Sequence, residues 1–333
     1  MPEKLMKSGR NAARSLRSGL RARARRSPRA RRLYYRFVGY RQAALMQLAA
    51  LRGGRGEHRV NAANLVWIFC ASRSGSTWLR SMLAELPRFR VWEEPKVGQL
   101  FGEFYARAQQ GQLGSKDFIL GDPIRSGWLR SIRNFVLDGA GYSHPLLTRE
   151  DYLVVKEPDG AIGAPLIMEA LPESRMILLV RDPRDVAASA LDATRAGSWM
   201  YEGSDRVFWK DTGMTPEEFV RIRAETYLQS IGSARRAFDA HRGRKTLIRY
   251  EDLKEDTLGT LRRACRELEL PADEATLARA VGKHAWENIP EREKGRGKFY
   301  RRGAAGGWRE DLSPGQARIV EEITAPLLRE LYP

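Results

Sequence analysis

Leu65-Val66-Trp67-Ile68-Phe69-Cys70, then Ala71-Ser72-Arg73-Ser74-Gly75-Ser76-Thr77-Trp78, is the stretch that decides the fold. Its first six residues are apolar without alternation, as in a strand covered on both faces. A small, polar, Gly-containing turn follows, and from Thr77 the spacing of Trp78, Met82 and Leu86 is helical. A strand, a tight turn and a helix start bring several backbone N–H groups and the positive end of a helix dipole to one point, which favours an anion. Arg73 adds a cation there, and Ser76 and Thr77 add hydroxyl donors. No Lys follows Gly75 at the required distance, so the loop is P-loop-like without being a Walker A motif.

Working outward, Phe89–Trp92, Leu153–Lys156, Met176–Val180 and Thr246–Arg249 also read as strands. Helical patterns lie at Leu100–Gln110, Trp128–Leu137, from Pro183, within Thr215–His241, and near Thr257–Leu268 and Ala275–Val281. Ser313-Pro314 supplies an N-cap and a first-turn proline for a last helix. Alternating strands and helices predict a three-layer α/β fold with a central parallel sheet, whose ligands sit at the carboxyl ends of the strands.

The chain has 333 residues and a net charge of +17, but the charge is unevenly spread. Residues 1–59 hold 17 Lys/Arg against Glu3 and Glu57, which leaves only +2 for residues 60–333. Residues 1–59 therefore read as a basic arm and linker, with a helix within Leu33–Leu51 and the linker at Arg52–Asn64. Residues 60–333 read as the main domain. The near-neutral domain argues against specific nucleic-acid binding, and the arm reads as a solvated tail, an anionic-membrane contact through residues 1–50, a nonspecific nucleic-acid contact or an organelle transit peptide. No apolar run approaches the length of a membrane span, and no secretory signal is recognisable. Cys70 and Cys265 lie in apolar or helical patterns and read as reduced core residues, which points to a cytoplasmic protein, with peripheral membrane contact through the arm as the alternative.

Two more segments carry unusual residues. In Arg181-Asp182-Pro183-Arg184-Asp185, capping accounts for Asp182, Pro183 and Asp185, but not for Arg181 at the mouth of a buried strand. Ser189, two helical turns on, can face the same point. Arg301-Arg302-Gly303-Ala304-Ala305-Gly306-Gly307-Trp308 is a basic, Gly-rich loop.

Together these three segments resemble the nucleotide-binding elements of sulfotransferases, which use 3′-phosphoadenosine 5′-phosphosulfate (PAPS). The resemblance runs in the same order from about Leu65 to the C-terminus. It implies that Arg73, Ser74, Gly75, Ser76 and Thr77 grip the 5′-phosphosulfate, and that Arg181, Ser189, Arg301, Arg302 and Gly303 grip the 3′-phosphate. Trp78 would stack on adenine, with Tyr250 of Arg249-Tyr250-Glu251-Asp252-Leu253 close by. Many soluble members carry Lys at the place of Arg73 and a catalytic His two residues after the Lys that matches Lys156; here that second position is Pro158. The segment from Arg73 to Glu94 is more similar to tyrosylprotein sulfotransferases, including the paired glutamates Glu93-Glu94. That likeness implies Glu94 as catalytic base, with Lys156 and Arg73 as charge stabilisers.

The expected chemistry is in-line transfer of a sulfuryl group from PAPS to an acceptor hydroxyl on a glycan, lipid, protein or small molecule, with no metal. Glu157 and His144 are alternative bases. An ATP-using transferase and a noncatalytic binding module are the competing readings, and the missing Walker lysine counts against the first.

Overall fold

A computed structural model describes residues 60–110, 119–121, 124–201 and 208–332. The basic arm, its expected helix and the linker as far as residue 59 lie outside the described residues. The chain divides into two units: Met1–Glu57 with Gly141–Leu146, and His58–Ala140 with Leu147–Pro333. The sheet belongs to the second. Folded structure starts before the expected end of the linker. Ala62–Asn64 forms a 3-10 turn, because the Asn61 side chain accepts a hydrogen bond from the Ala63 amide at 3.1 Å, and Val60 and Ala62 are buried.

Five strands form one sheet: β1 (Leu65–Cys70), β2 (Phe89–Glu93), β3 (Tyr152–Glu157), β4 (Arg175–Val180) and β5 (Lys245–Arg249). Their order is β2-β3-β1-β4-β5 and every pairing is parallel, as the sequence predicts. β1 is central, with Ile68 beside Lys156 of β3 and Ile177 of β4. All six of its side chains are buried, and Trp67 stacks on Phe69 at 5.6 Å.

Helices cover both faces. On one face pack α1 (Ser76–Leu83), α7 (Tyr250–Glu255), α8 (Thr257–Glu267) and α9 (Glu274–Lys283), through Leu79, Leu253, Leu261 and Leu277 onto Val66, Ile68 and Ile177. On the other lie α2 (Val97–Gln109), α3 (Arg125–Ser143), α4 (Ala164–Ala170), α6 (Pro216–Ala240) and α10 (Pro314–Leu331). α5 (Pro183–Ala193) packs with α6 and α10 in a third, smaller apolar cluster. Each fully buried Leu, Ile or Phe contributes about 1.5–3 kcal/mol relative to exposure, so these clusters hold the layers together. Both cysteines are free and buried in the first cluster, as the sequence predicts, and burial pushes the Cys70 thiol up to about 12.

α2 begins three residues earlier than its apolar periodicity indicates. Lys96 takes a left-handed conformation at its start, and the buried carboxylate of Glu157 accepts the Val97 amide at 3.1 Å. A cap supplied by a distant strand leaves no local signature. α2 then runs against the 3-10 turn Gly160–Gly163 at backbone contact distance. A Cβ at Gly102 would lie 2.4 Å from Gly163 Cα. Gly102→Ala should therefore destabilise the protein by about 1–3 kcal/mol in urea unfolding, because overpacking outweighs the gain in helix propensity. A stabilised variant would show that the two segments can separate freely.

Candidate functional site

The carboxyl ends of β1 and β4, the start of α7 and the loop before α10 meet around a cleft of about 130 Å³. Arg73, Gly75, Ser76, Thr77 and Trp78 form one wall. Arg181, Ser189 and Tyr250 form the second, and Arg301, Arg302 and Gly303 the third. Ser74 is fully buried behind this lining, and its hydroxyl has no hydrogen-bond partner among the described residues. The structure thus gathers three segments that together span more than 200 residues of the chain.

The turn after β1 is backbone-strained. Arg73 adopts φ +72° and Gly75 φ +86°, a region that costs a non-Gly residue free energy and that tends to appear at functional sites. A Cβ at Gly75 would meet Tyr250 Cδ2 at 2.6 Å, so only glycine lets the ring lie over the turn. The Trp78 indole meets Tyr250 edge-on at 6.4 Å and donates to the His284 carbonyl at 2.8 Å. These rings give the cleft an apolar floor beside its charges.

The charges are unusual in their partners. Arg73 donates to Ser189 Oγ at 3.1 Å and to the Phe299 carbonyl at 2.9 Å. Arg181 donates to the carbonyls of Arg73 and Ala304 at 3.0 and 3.1 Å and lies 4.1 Å above the Tyr250 ring. Its Nε is buried without a hydrogen-bond partner among the described residues, and Asp185 stands 3.9 Å away. Arg301 is paired with Asp311. Burial, with Arg181 and Arg301 nearby, pushes the Arg73 guanidinium down to about 10. It remains cationic at neutral pH, but in a field of like charge. Arg73 and Arg181, which donate to carbonyls and a hydroxyl, leave room for an anion, whereas Arg301 and Arg302 are paired with Asp311 and Glu310.

Capping explains Asp182, which accepts the Arg184 amide at 2.8 Å, but not Asp185. Contrary to expectation, the fully buried Asp185 carboxylate accepts the amides of Gly306 and Trp308 at 2.7 and 2.9 Å. It therefore ties the Arg301–Trp308 loop to α5, a role that no local pattern carries.

Lys156 and Glu94 sit together. The Lys156 ammonium lies 2.7 Å from Glu94, 2.9 Å from Glu93 and 3.4 Å from the Thr77 hydroxyl. Burial opposes its charge, but hydrogen bonds to Glu94 and Glu93 outweigh this and hold its pKa above the ordinary value. Arg73 stands apart from this group, in the cluster with Ser189. Glu93 is also held by Arg80 at 2.7 Å; burial works against its ionised form, yet Lys156 and Arg80 keep its pKa low. Glu157, one residue beyond Lys156, points to the opposite face of the sheet, where it caps α2. His144 follows α3 and belongs to the other unit.

The sequence reading missed Lys254, His284, Trp286, Ile289, Phe299 and Tyr300, which also line the cleft. Lys254 stands one helical turn after Tyr250, a spacing that could have flagged it; the others lie in irregular segments without a pattern. Among the described residues no group of three or more His, Cys, Asp or Glu could hold a metal, and no helix is long and apolar enough to cross a membrane.

Burial raises the Glu157 pKa to about 7. Its folded pKa exceeds its unfolded one, so the wild-type fold should lose stability as pH rises from about 4.5 to about 7 and change little above that. Glu157→Gln should remove this loss, becoming more stable than wild type by about 1–3 kcal/mol at pH 8, with the difference shrinking toward pH 5. Denaturant midpoints at the two pH values test the sign.

The model of the Sulfotransferase family matches residues 66–274. Rat sulfotransferase 2B1 is 25% identical over an aligned length of 168 residues, an alignment that covers 45% of this chain and 46% of that protein. The match thus spans about half the length of the curated relative. Among solved structures, mouse sulfotransferase SULT7A1 complexed with PAP is similar with a TM-score of 0.52 at 14% identity, covering 80% of this chain and 85% of that one. Sulfotransferase STF9 from Mycobacterium avium gives a TM-score of 0.50 at 14% identity, covering 80% and 76%. These two likenesses concern the fold. The family match spans more than half of the chain and includes the turn after β1, Lys156, Arg181, Ser189 and Tyr250, so the chain belongs to the sulfotransferase family.

Proposed function

We propose that this protein transfers the sulfuryl group of PAPS to an acceptor hydroxyl. The observation that carries the reading is the convergence of Arg73, Arg181 and Arg301 on one cleft, with buried donors at Arg181 Nε and Ser74 Oγ that have no partner among the described residues. Each charge-assisted hydrogen bond to an anion is worth about 1.5–3 kcal/mol, so a nucleotide with two separated phosphate groups suits these donors. PAP is the ligand in the SULT7A1 complex, which supports the same choice here.

Arg181, Ser189, Arg301, Arg302 and Gly303 would hold the 3′-phosphate. Ser74, Gly75, Ser76 and Thr77 would hold the 5′ end, and Trp78 with Tyr250 the adenine. Bound PAPS supplies a sulfuryl group whose S–O bond to the 5′-phosphate breaks as the acceptor oxygen forms a new one, giving a sulfate ester and PAP. Lys156, which donates to the Thr77 hydroxyl, would neutralise charge on the leaving oxygen, as cationic clamps do in phosphoryl transfer. Arg73, which reaches Ser189, contributes positive field from the nucleotide side. Glu94 takes the acceptor proton. Glu93 is a poorer base because two cations hold it, and Glu157 faces away. The pairing of Glu94 with Lys156 supports kinship with the tyrosylprotein and carbohydrate branch. We further propose residues 60–333 as the catalytic domain and residues 1–50 as a membrane-surface contact.

Calorimetric titration with PAP, beside AMP and ATP, tests the nucleotide. Micromolar binding that needs the 3′-phosphate and falls by about 10–100-fold in Arg181→Ala is expected. A preference for ATP would overturn the reading. Glu94→Gln should lower turnover by about 10²–10⁴ while PAP still binds, and an unchanged rate would remove Glu94 from this role.

A further inference from the structure

Glu93 and Glu94 are adjacent, and in a regular strand adjacent side chains point to opposite faces of the sheet. Phe89, Val91 and Glu93 of β2 share the face that α1 covers, and Glu93 stands directly beside Lys156 in the register. Alternation alone would turn Glu94 away from Lys156. Instead Glu94 takes a left-handed conformation, φ +49°, just before Pro95, and Lys96 follows at φ +63°. Such backbone is unfavourable for residues other than glycine and persists where the surroundings over-determine it. Its effect is to bring both carboxylates onto one ammonium, at 2.9 and 2.7 Å.

A lysine shared by two carboxylates forms a group with net negative charge, which opposes an incoming phosphosulfate and holds the ammonium back from it. Arg80 supplies the missing positive charge. It lies three residues after Thr77, on the same side of α1, and reaches Glu93 at 2.7 Å. It also bonds to the Ser81 hydroxyl at 3.1 Å, while its Nε is buried without a hydrogen-bond partner among the described residues. Packing alone does not explain a guanidinium held so incompletely. Arg80, Glu93, Lys156 and Glu94 thus form an uninterrupted row of alternating charge. Neighbouring groups leave its balance unchanged: Lys96 is paired with Asp159 at 2.9 Å, and burial favours the neutral forms of the Tyr300 phenol and the Cys70 thiol.

We propose that Arg80 and Glu93 are positioning residues for the transfer: Arg80 balances Glu93, so that Glu93 aligns Lys156 without withholding it from Glu94 and the leaving oxygen. The inference rests on the sulfuryl-transfer reading, in which neither residue touches the nucleotide or the acceptor. Without Arg80, Glu93 is an uncompensated anion that draws Lys156 to itself. A displacement of about 1 Å at such a group can slow a reaction by about 10²-fold.

The test uses the full chain with PAPS and water as acceptor, read as release of radiolabelled sulfate. Arg80→Met should lower kcat by about 10–100-fold, while PAP affinity in calorimetry changes by less than about threefold. In a Glu93→Gln background the same Arg80→Met change should slow the rate by less than about threefold, because no anion is left to balance. Arg80→Lys keeps the charge and should be faster than Arg80→Met. An unchanged kcat in Arg80→Met, an equal loss in both backgrounds, or Arg80→Lys as slow as Arg80→Met would overturn the assignment. Equal losses would mean that Arg80 only supports the packing of α1. PAP titration reports folding of each variant, and Arg80→Gln takes the place of Arg80→Met in the same cycle if the latter does not bind. A wild type that releases no sulfate, or does not bind PAP, would instead strike at the transfer reading.

Discussion

A strand covered on both faces and paired along both edges can release polar groups only at its ends, and β1 is such a strand. Its six side chains are buried between two helical layers, so the chain must turn sharply after Cys70 and leave polar atoms at one point. The strained Arg73 and the glycine at position 75 are the local cost of that turn. Everything functional in the fold is arranged around it. Tyr250 lies on the turn, Arg181 donates to it, and Arg223 holds Ser72 at its start.

The two ends of β4 show how position in a parallel sheet decides what a buried arginine does. Arg175, at the amino end, is packed against Tyr152 and donates to the carbonyls of Leu268 and Ala63. Its donors are spent on carbonyls at the end of α8 and in the turn before β1, and it has a structural role. Arg181, just past the carboxyl end, also donates to carbonyls, yet keeps a buried nitrogen without a partner among the described residues beside two more arginines. Both are arginines at a strand boundary. The difference is that strand carboxyl ends face the crevice where loops diverge, whereas the amino ends are closed by neighbouring turns.

The alternation of a strand separates chemistry in the same way. Lys156 and Glu157 are adjacent in sequence and on opposite faces of the sheet. The first joins Glu94, Glu93 and Thr77; the second, pushed up to about 7 by burial, is spent on the first amide of α2. That cap and the glycine contact with Gly160–Gly163 fix α2, and α2 in turn lines a second cleft at the carboxyl ends of β1 and β3.

The sequence by itself determined the layered α/β class, the five strands to within a residue of their ends, and the turn after Cys70. Each of these depends on local patterns: unbroken apolar runs, helical spacing, and a small-residue turn between them. It also singled out Arg181, since capping left that residue unexplained. Only the tertiary structure decided which arginines share a cleft, that Asp185 anchors a loop instead of capping its own helix, that Glu157 closes the start of α2, and that Arg223 lacks a carboxylate partner among the described residues. These are meetings between residues far apart in the chain, 151 positions in the case of Ser72 and Arg223. Local periodicity records what a residue's own element needs, and a charge satisfied or left wanting by a distant element leaves no trace in it.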